Sequence, residues 1–271
     1  MTGKLVALGG RMHSGKTTAS KLFTQSGDWQ RIRFAGAFKA LAHRFLVLSG
    51  YGRELASECV DGSMKNTPLP DIDMSMRRLM QNIGSSFREK LGDPDFWGNI
   101  AISRARHLMK SNINVLIDDM RFRHEDDVVH ANGGYTVLIE GNHSQESHRS
   151  DINVLDGIYS RAGVMTDDVF RRNIVQAWDE TVGQLKLHNA RHIRDVFIDF
   201  VNTVLIPSRG HVPVSDLMSH ASEHSLPEVF DYRIVNNGSI ADLKEKVENF
   251  VILLGEGRIH HAKKQSPSPA A

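Results

Sequence analysis

The chain has 271 residues, of which 40% are hydrophobic and 24% are charged, with 33 Lys and Arg against 32 Asp and Glu. A chain this long and this apolar can bury a sizeable core, which excludes global disorder, and a net charge of +1 argues against a dedicated nucleic-acid binder. The single cysteine, Cys59, excludes disulfide frameworks and multi-cysteine metal sites, and no apolar run reaches the roughly 18 residues of a membrane span, so we expect a cytoplasmic protein with no membrane partner.

A phosphate-binding motif follows the first apolar run. Residues 4–8 (KLVAL) predict a short β-strand, and residues 10–17 (GRMHSGKT) fit the pattern G-x-x-x-x-G-K-[ST] before a helical segment. Glycines let the backbone wrap a polyphosphate, Lys16 adds positive charge at the β- and γ-phosphates, and Thr17 can hold Mg²⁺. The alternative is a glycine-rich turn with an incidental lysine. We predict an α/β fold, a P-loop domain with a mostly parallel sheet flanked by helices.

A second apolar strand ends in two acids. Residues 114–117 (NVLI) precede Asp118 and Asp119, and either carboxylate could help to organise Mg²⁺ at the carboxyl end of a strand. Arg121 and Arg123 follow, where a guanidinium could reach a phosphoryl group in transfer. The alternative is a solvated charged turn. The chain lacks an N-K-x-D motif, which argues against a GTPase.

A third pattern covers residues 76–88. Five apolar side chains recur at three- and four-residue steps and predict one helix face: Met76, Leu79, Met80, Ile83 and Phe87. Arg78, Gln81 and Arg88 fall outside this face, and their guanidinium and amide groups suit an acceptor that carries a phosphate and a base. The alternative is a charged flank that faces solvent.

Six segments in this order resemble the deoxynucleoside monophosphate kinases of tailed bacteriophages, a branch of the P-loop nucleotide kinases. The segments are GRMHSGKT (10–17), FAGAFKAL (34–41), MRRLMQNIGSSFREKLGDPDFW (76–97), VLIDDMRFRHEDD (115–127), SHASEHSLP (219–227) and DYRIVNNGSIADL (231–243). The resemblance covers roughly residues 1–140 and 219–254. It implies transfer of the γ-phosphoryl group of ATP to a deoxynucleotide, in the host cytoplasm if the protein is phage-encoded.

The resemblance also implies roles for particular residues. ATP and Mg²⁺ would be bound by Gly10, His13, Ser14, Gly15, Lys16, Thr17 and Thr18. The acceptor would be bound by Lys39, Arg77, Arg78, Gln81 and Arg88. Lys16, Asp119 and Arg121 would be catalytic, and the metal would be held by Thr17 with Asp118 or Asp119. The segment NNGSIADL is interpreted as architecture, a turn and a last helix with Ser239 as its N-cap and Ile240, Leu243, Val247 and Phe250 facing the sheet.

The chain departs from compact members of this family by an insertion. Residues 141–218 separate the strand 135–140 from the segment 219–227, and two apolar stripes predict amphipathic helices within them. We therefore predict a kinase core of residues 1–140 and 219–254, in which about 40–100 supply the acceptor side, an inserted helical lobe of 141–218, and a disordered tail of 255–271. The pair His188 and His192 lacks an acidic partner in its motif and is interpreted as surface.

Three functions remain open at this point. A deoxynucleoside monophosphate kinase that makes dNDP is the leading hypothesis, because the resemblance and the charge balance favour a small acceptor. The large insertion motivates a phage DNA-modification kinase that phosphorylates the hydroxymethyl group of 5-hydroxymethyluracil in DNA. A hydroxyl acceptor benefits from a base, for which Asp119 or Asp118 is the candidate. The third is a non-catalytic nucleotide-binding partner protein. The sequence leaves the oligomeric state open, a homodimer included.

Overall fold

The computed structural model describes residues 3–11, 13–141, 163–210 and 226–262, and the chain divides into two compact units. The first unit comprises Met1–Phe34, Gly98–Gln145 and His220–Ala271, and the second comprises Ala35–Trp97 and Glu146–Ser219. The second unit therefore combines most of the segment predicted to supply the acceptor side with most of the predicted lobe. Residues 142–162 and 211–225 lie outside the described residues, so the lobe boundaries at 141 and 218 stay a prediction.

The first unit is built on a parallel sheet. Its strands are β1 (Leu5–Gly9), β2 (Trp29–Ile32), β5 (Asn114–Ile117), β6 (Tyr135–Glu140) and β7 (Tyr232–Val235). Its helices are α1 (Lys16–Gln25), α6 (Phe96–Lys110), α7 (Arg123–Ala131) and α10 (Ile240–Gly255). The first two residues of α6 belong to the second unit, and its residues from Gly98 onward belong to the first. The strand order is β2-β5-β1-β6-β7, and each neighbouring pair is parallel. This confirms the α/β prediction. It also puts the loop after β1 where the strand order reverses, the usual ligand position in such sheets.

Helices cover both faces of this sheet. Successive side chains of β1 alternate, so that Val6 and Leu8 pack with buried side chains of α1 and α10, whereas Leu5 and Ala7 pack with those of α6 and α7. A strand buried on both faces must be apolar throughout. This explains why the first strand is readable in the sequence as an unbroken run.

The second unit is helical apart from a two-stranded hairpin. Its helices are α2 (Gly36–Leu48), α3 (Arg53–Val60), α4 (Met76–Gln81), α5 (Phe87–Leu91), α8 (Asp167–Glu180) and α9 (Ala190–Phe200), and its short strands are β3 (Pro68–Leu69) and β4 (Met74–Ser75). Short 3-10 helices cover Ser63–Asn66 and Val182–Gln184, and π-helical turns cover Asn82–Ser86 and Val201–Leu205. Among the described ranges, none of the helices combines the length and the apolar character that a bilayer crossing requires.

Phe87 is the centre of the aromatic core of the second unit. Its ring contacts Trp178 of α8 and Phe197 of α9 at centroid distances of 5.3 and 5.4 Å, and these two rings stack on each other at 4.0 Å. The five apolar residues predicted for one face of 76–88 are all buried. The predicted amphipathic helices of the insertion thus pack on each other and on this helix.

The last helix and the tail correct two predictions. Ser239 caps α10 as predicted, since its hydroxyl accepts the N–H of Asp242, but Ile240 is 70% exposed because the packed face of α10 begins one turn later, at Leu243. The tail predicted as disordered from 255 begins with an ordered segment. Ile259 is buried, which anchors residues 256–262 to the first unit. Residues 263–271 lie outside the described residues.

Candidate functional site

The loop between β1 and α1 has three residues in the left-handed region. Gly10, His13 and Gly15 have φ angles of 146°, 61° and 94°. Glycine enters this region without steric cost. The repeated turns coil the backbone into a compact loop at the carboxyl end of β1, and Gly15 is the N-cap of α1.

Lys16 holds its charge over this loop. Its Nζ donates to the carbonyl oxygens of Gly10 and Arg11 at 2.7 and 2.6 Å. The N-cap Gly15 has no side chain to accept a hydrogen bond from the first turn, where Thr17 is exposed and Thr18 half-buried. A helix N-terminus with an adjacent ammonium group is a favourable position for a phosphate.

Asn236, which directly follows β7, bonds to the loop between β1 and α1. Its Nδ2 donates to the carbonyl oxygen of Ser14 at 3.0 Å, and its backbone N–H donates to Glu140 at 2.6 Å. A Cβ at Gly15 would lie 2.1 Å from Asn236 Nδ2, and one at Gly10 would lie 2.4 Å from the carbonyl oxygen of Ile139. The ends of the neighbouring strands therefore require glycine at both positions. The buried Ser14 side chain is enclosed in this packing.

Asn236 is not among the site residues predicted from the sequence, because the segment NNGSIADL is interpreted there as architecture. A signal was present, since a polar residue directly after an apolar strand is the same pattern that pointed to Asp118. The carboxyl ends of parallel strands share one edge of the sheet.

The two aspartates after β5 lie in different surroundings. Asp118 is 6% exposed and forms ion pairs with Arg31 of β2 and with Arg33, the latter at 3.6 Å. Asp119 is half-buried, and its Oδ1 accepts the backbone N–H of Phe34 at 2.8 Å. The charge of Asp118 is thus compensated by two guanidinium groups.

Glu125 holds the backbone of Arg121. Its Oε2 accepts the backbone N–H groups of Arg121 and Phe122 at 2.6 and 3.0 Å. Arg121 itself is exposed. The pKa of the Glu125 carboxyl is raised to about 8, mainly by burial and to a smaller extent by the charge of Asp119, while the two N–H donors oppose the shift. The charged stretch 123–127 gave no sign that the side chains of Glu125 and Asp126 are buried.

The residues predicted to bind the acceptor all belong to the second unit. Lys39 Nζ pairs with Asp61 at 2.5 Å, and Arg77 Nη1 donates to Asn66 at 3.3 Å. Arg78 Nη1 is buried and has no hydrogen-bond partner within the described part of the chain. Gln81 and Arg88 are half-buried. The P-loop, Asp118, Asp119 and Arg121 belong to the first unit.

His188 and His192 are both exposed, as predicted, and only His192 lies in α9.

Comparison with known proteins finds a relative by sequence and several solved structures with a similar fold. No protein-family model matches the chain. Over 162 residues the chain is 28% identical to the "Putative deoxynucleotide monophosphate kinase" of Acanthamoeba polyphaga mimivirus. The aligned region covers 55% of this chain and 80% of the relative. The structure is similar to TT1252 from Thermus thermophilus (TM-score 0.36, 14% identity, 94% of this chain and 99% of that chain). It is also similar to the dephospho-CoA kinase from Campylobacter jejuni (TM-score 0.37, 15% identity, 94% and 98%).

Proposed function

We propose that this chain is an ATP-dependent kinase that transfers the γ-phosphoryl group of ATP to a deoxynucleoside monophosphate and makes the diphosphate. The observation that carries the proposal is the loop after β1, whose left-handed residues and Lys16 ammonium form a phosphate-binding N-terminus of α1. The mimivirus relative, which is named as a deoxynucleotide monophosphate kinase, supports the acceptor class.

The donor side is formed by the first unit. In this proposal the loop backbone from Gly10 to Gly15, with His13 and Ser14 between them, and the first turn of α1 bind the phosphates of ATP, and Lys16 neutralises their charge. Bound Mg²⁺ would supply further charge neutralisation on the phosphate oxygens. We assign Thr17 and Asp119 to hold it, because the carboxylate of Asp118 is committed to Arg31 and Arg33.

The acceptor side is assigned to the second unit. A buried guanidinium N–H without a partner costs about 1–3 kcal/mol, and an acceptor phosphate would satisfy Arg78 Nη1. Lys39 already has an anionic partner in Asp61, so we expect it to contribute less. Arg77, Gln81 and Arg88 complete the proposed acceptor residues.

The chemistry requires positioning and charge rather than a strong base. A phosphate acceptor is already a nucleophilic anion, so the chain has to align it in line with the leaving group and neutralise charge on the moving phosphoryl group. We assign Arg121 to that role, because Glu125 accepts its backbone N–H and Arg121 is exposed after β5.

Labelled ATP offered with each of three acceptor sets tests this function. The sets are a panel of deoxynucleoside monophosphates, the matching ribonucleotides and duplex DNA that contains 5-hydroxymethyluracil. We expect label in a deoxynucleoside diphosphate. Label only in the DNA would establish the modification kinase instead, and label in no acceptor would leave a nucleotide-binding partner protein.

Two lysines of α1 provide matched variants. Lys16→Ala should lower transfer by about 100-fold or more, because a preorganised charge at the phosphates is lost. Lys21→Ala removes an exposed lysine from the same helix and should leave transfer unchanged. Equal activity of the two variants would refute the assignment of the loop.

A further inference from the structure

Two histidines and an aspartate converge at the edge of the sheet opposite the phosphate-binding loop. His130 lies in the last turn of α7, Asp231 directly precedes β7, and His261 follows α10. One ligand atom from each of them lies within 4.8 Å of the other two. All three belong to the first unit, at the amino ends of β6 and β7, and the proposed function uses none of them.

The distances suit a small cation. His130 Nε2 and His261 Nδ1 lie 2.8 and 3.6 Å from Asp231 Oδ2. Ligand atoms bound tetrahedrally at about 2.0–2.1 Å are about 3.3–3.4 Å apart. Shifts of a few tenths of an ångström in the side chains would therefore bring both pairs of ligand atoms to the separation found around a tetrahedral ion.

Each ligand is oriented by a neighbour. His130 Nδ1 lies 3.3 Å from the carboxylate of Asp126, and a metal-binding histidine commonly directs its second nitrogen to a carboxylate. Asp231 accepts the backbone N–H groups of Thr136 and Ala262 at 2.9 and 2.7 Å.

The ring of His261 stacks on Tyr135 with a centroid distance of 4.6 Å. The side chain of Asp231 is fully buried, whereas that of His261 is 48% exposed. The buried aspartate is thus fixed, and the histidine closes the cluster from the solvent side.

We propose that His130, Asp231 and His261 form a binding site for one Zn²⁺ ion. Two imidazole nitrogens and one carboxylate are a donor set of Zn²⁺, whereas Mg²⁺ prefers oxygen ligands alone. Three protein ligands leave a fourth position, which water can reach beside the exposed His261. The ion would tie residues 256–262 to the amino edge of the sheet and stabilise the first unit.

The test uses the full chain without an affinity tag, freed of metal by a chelator that is then removed. Isothermal titration with zinc chloride should show one ion per chain, and zinc should raise the melting temperature, whereas magnesium chloride should do neither. His261→Ala should weaken zinc binding at least about 10-fold and abolish the melting shift. Because His261 is half-exposed, this variant keeps the buried contacts of the cluster.

Two further histidines serve as controls. His260→Ala changes the neighbouring exposed histidine, and His107→Ala changes an exposed histidine of α6, and both should bind zinc like the unchanged chain. Equal zinc affinity in His261→Ala and the unchanged chain would overturn the proposal. So would a failure of the unchanged chain to bind zinc at micromolar concentration, or an equal loss in His260→Ala.

Discussion

The side-chain amide of Asn236 donates a hydrogen bond to the backbone carbonyl oxygen of Ser14 at 3.0 Å, and so joins the end of β7 to the loop before α1. Asn236→Ala removes this donor and leaves a buried carbonyl without it, which costs about 1–3 kcal/mol. We expect weaker ATP binding, about 5- to 30-fold in Kd, and a lower melting temperature. Asn237→Ala, at the exposed neighbouring position, should change neither quantity. Unaltered ATP affinity in Asn236→Ala would show that the loop holds its shape alone.

Gly15 and Gly27 form a matched pair, with φ angles of 94° and 78°. A Cβ at Gly15 would lie 2.1 Å from Asn236 Nδ2, whereas one at Gly27 would meet nothing within 4 Å. Gly27→Ala should cost only the roughly 1–2 kcal/mol of a left-handed alanine. Gly15→Ala should cost more and abolish ATP binding. Asn236→Ala removes the amide that would clash with a Cβ at Gly15. The losses in the free energy of unfolding caused by Gly15→Ala and by Asn236→Ala should therefore not add in the double variant. Additive losses would exclude the clash as the cause.

Asp118 and Asp119 should respond differently to replacement by asparagine. Asp119→Asn removes the proposed Mg²⁺ ligand, so we expect a higher Mg²⁺ requirement and a lower kcat with a nearly unchanged melting temperature. Asp118→Asn removes the buried carboxylate that forms ion pairs with Arg31 and Arg33, so we expect lower stability, by about 1–3 kcal/mol. Magnesium titrations of activity and thermal melts of both variants distinguish these effects. The reverse assignment follows if Asp118→Asn alone shifts the magnesium dependence.

Arg78→Met should separate stability from acceptor binding. The variant removes a buried guanidinium nitrogen that has no partner within the described residues, so the melting temperature should stay or rise. The KM for the acceptor should rise about 10-fold or more, while the KM for ATP stays. Arg53→Met, at an exposed position of α3, is the control. A normal acceptor KM in Arg78→Met would remove this residue from the acceptor site.

Glu125 should make stability depend on pH. Its carboxyl has a pKa of about 8 in the folded chain, raised by burial from 4.5. Between these values the folded chain keeps a proton that the unfolded chain releases, so the free energy of unfolding falls as the pH rises from about 4.5 to about 8. Glu125→Gln keeps an oxygen for the N–H groups of Arg121 and Phe122 but does not titrate.

Urea unfolding at pH 5 and pH 8, without nucleotide or magnesium, measures this effect. The stability of Glu125→Gln relative to the unchanged chain should increase with pH. The exposed Glu89→Gln should follow the profile of the unchanged chain. Parallel profiles for Glu125→Gln and the unchanged chain would show that the carboxyl titrates normally.

Sequence patterns predicted the features that local periodicity or adjacent residues determine. The glycine loop, the five buried residues of 76–88 and the Ser239 cap all follow from spacing within one segment. Contacts between residues far apart in the chain could not be predicted from such spacing. Nothing in the residues around Asp118 indicates that Arg31 pairs with it, because the pairing depends on β2 lying beside β5 in the sheet.

The same limit applies to the aromatic core and the tail. Apolar stripes predicted α8 and α9, but their common contact with Phe87 depends on the fold of a segment about 90 to 110 positions earlier. The bias of the last residues toward proline and serine predicted disorder, whereas the preceding Ile259 packs against the first unit. The ordered region is extended by the buried Ile259, by the bond from Ala262 N–H to Asp231 and by the stacking of His261 on Tyr135.

The bond between Ser14 and Asn236 spans 222 positions of the chain. Synthesis delivers the phosphate-binding loop before both segments of the second unit, and the end of β7 that bonds to the loop follows only after them. A nascent chain that stops before residue 236 has the whole GRMHSGKT motif without this bond. Nucleotide binding should therefore strengthen once Asn236 has been synthesised and its amide has bonded to the loop.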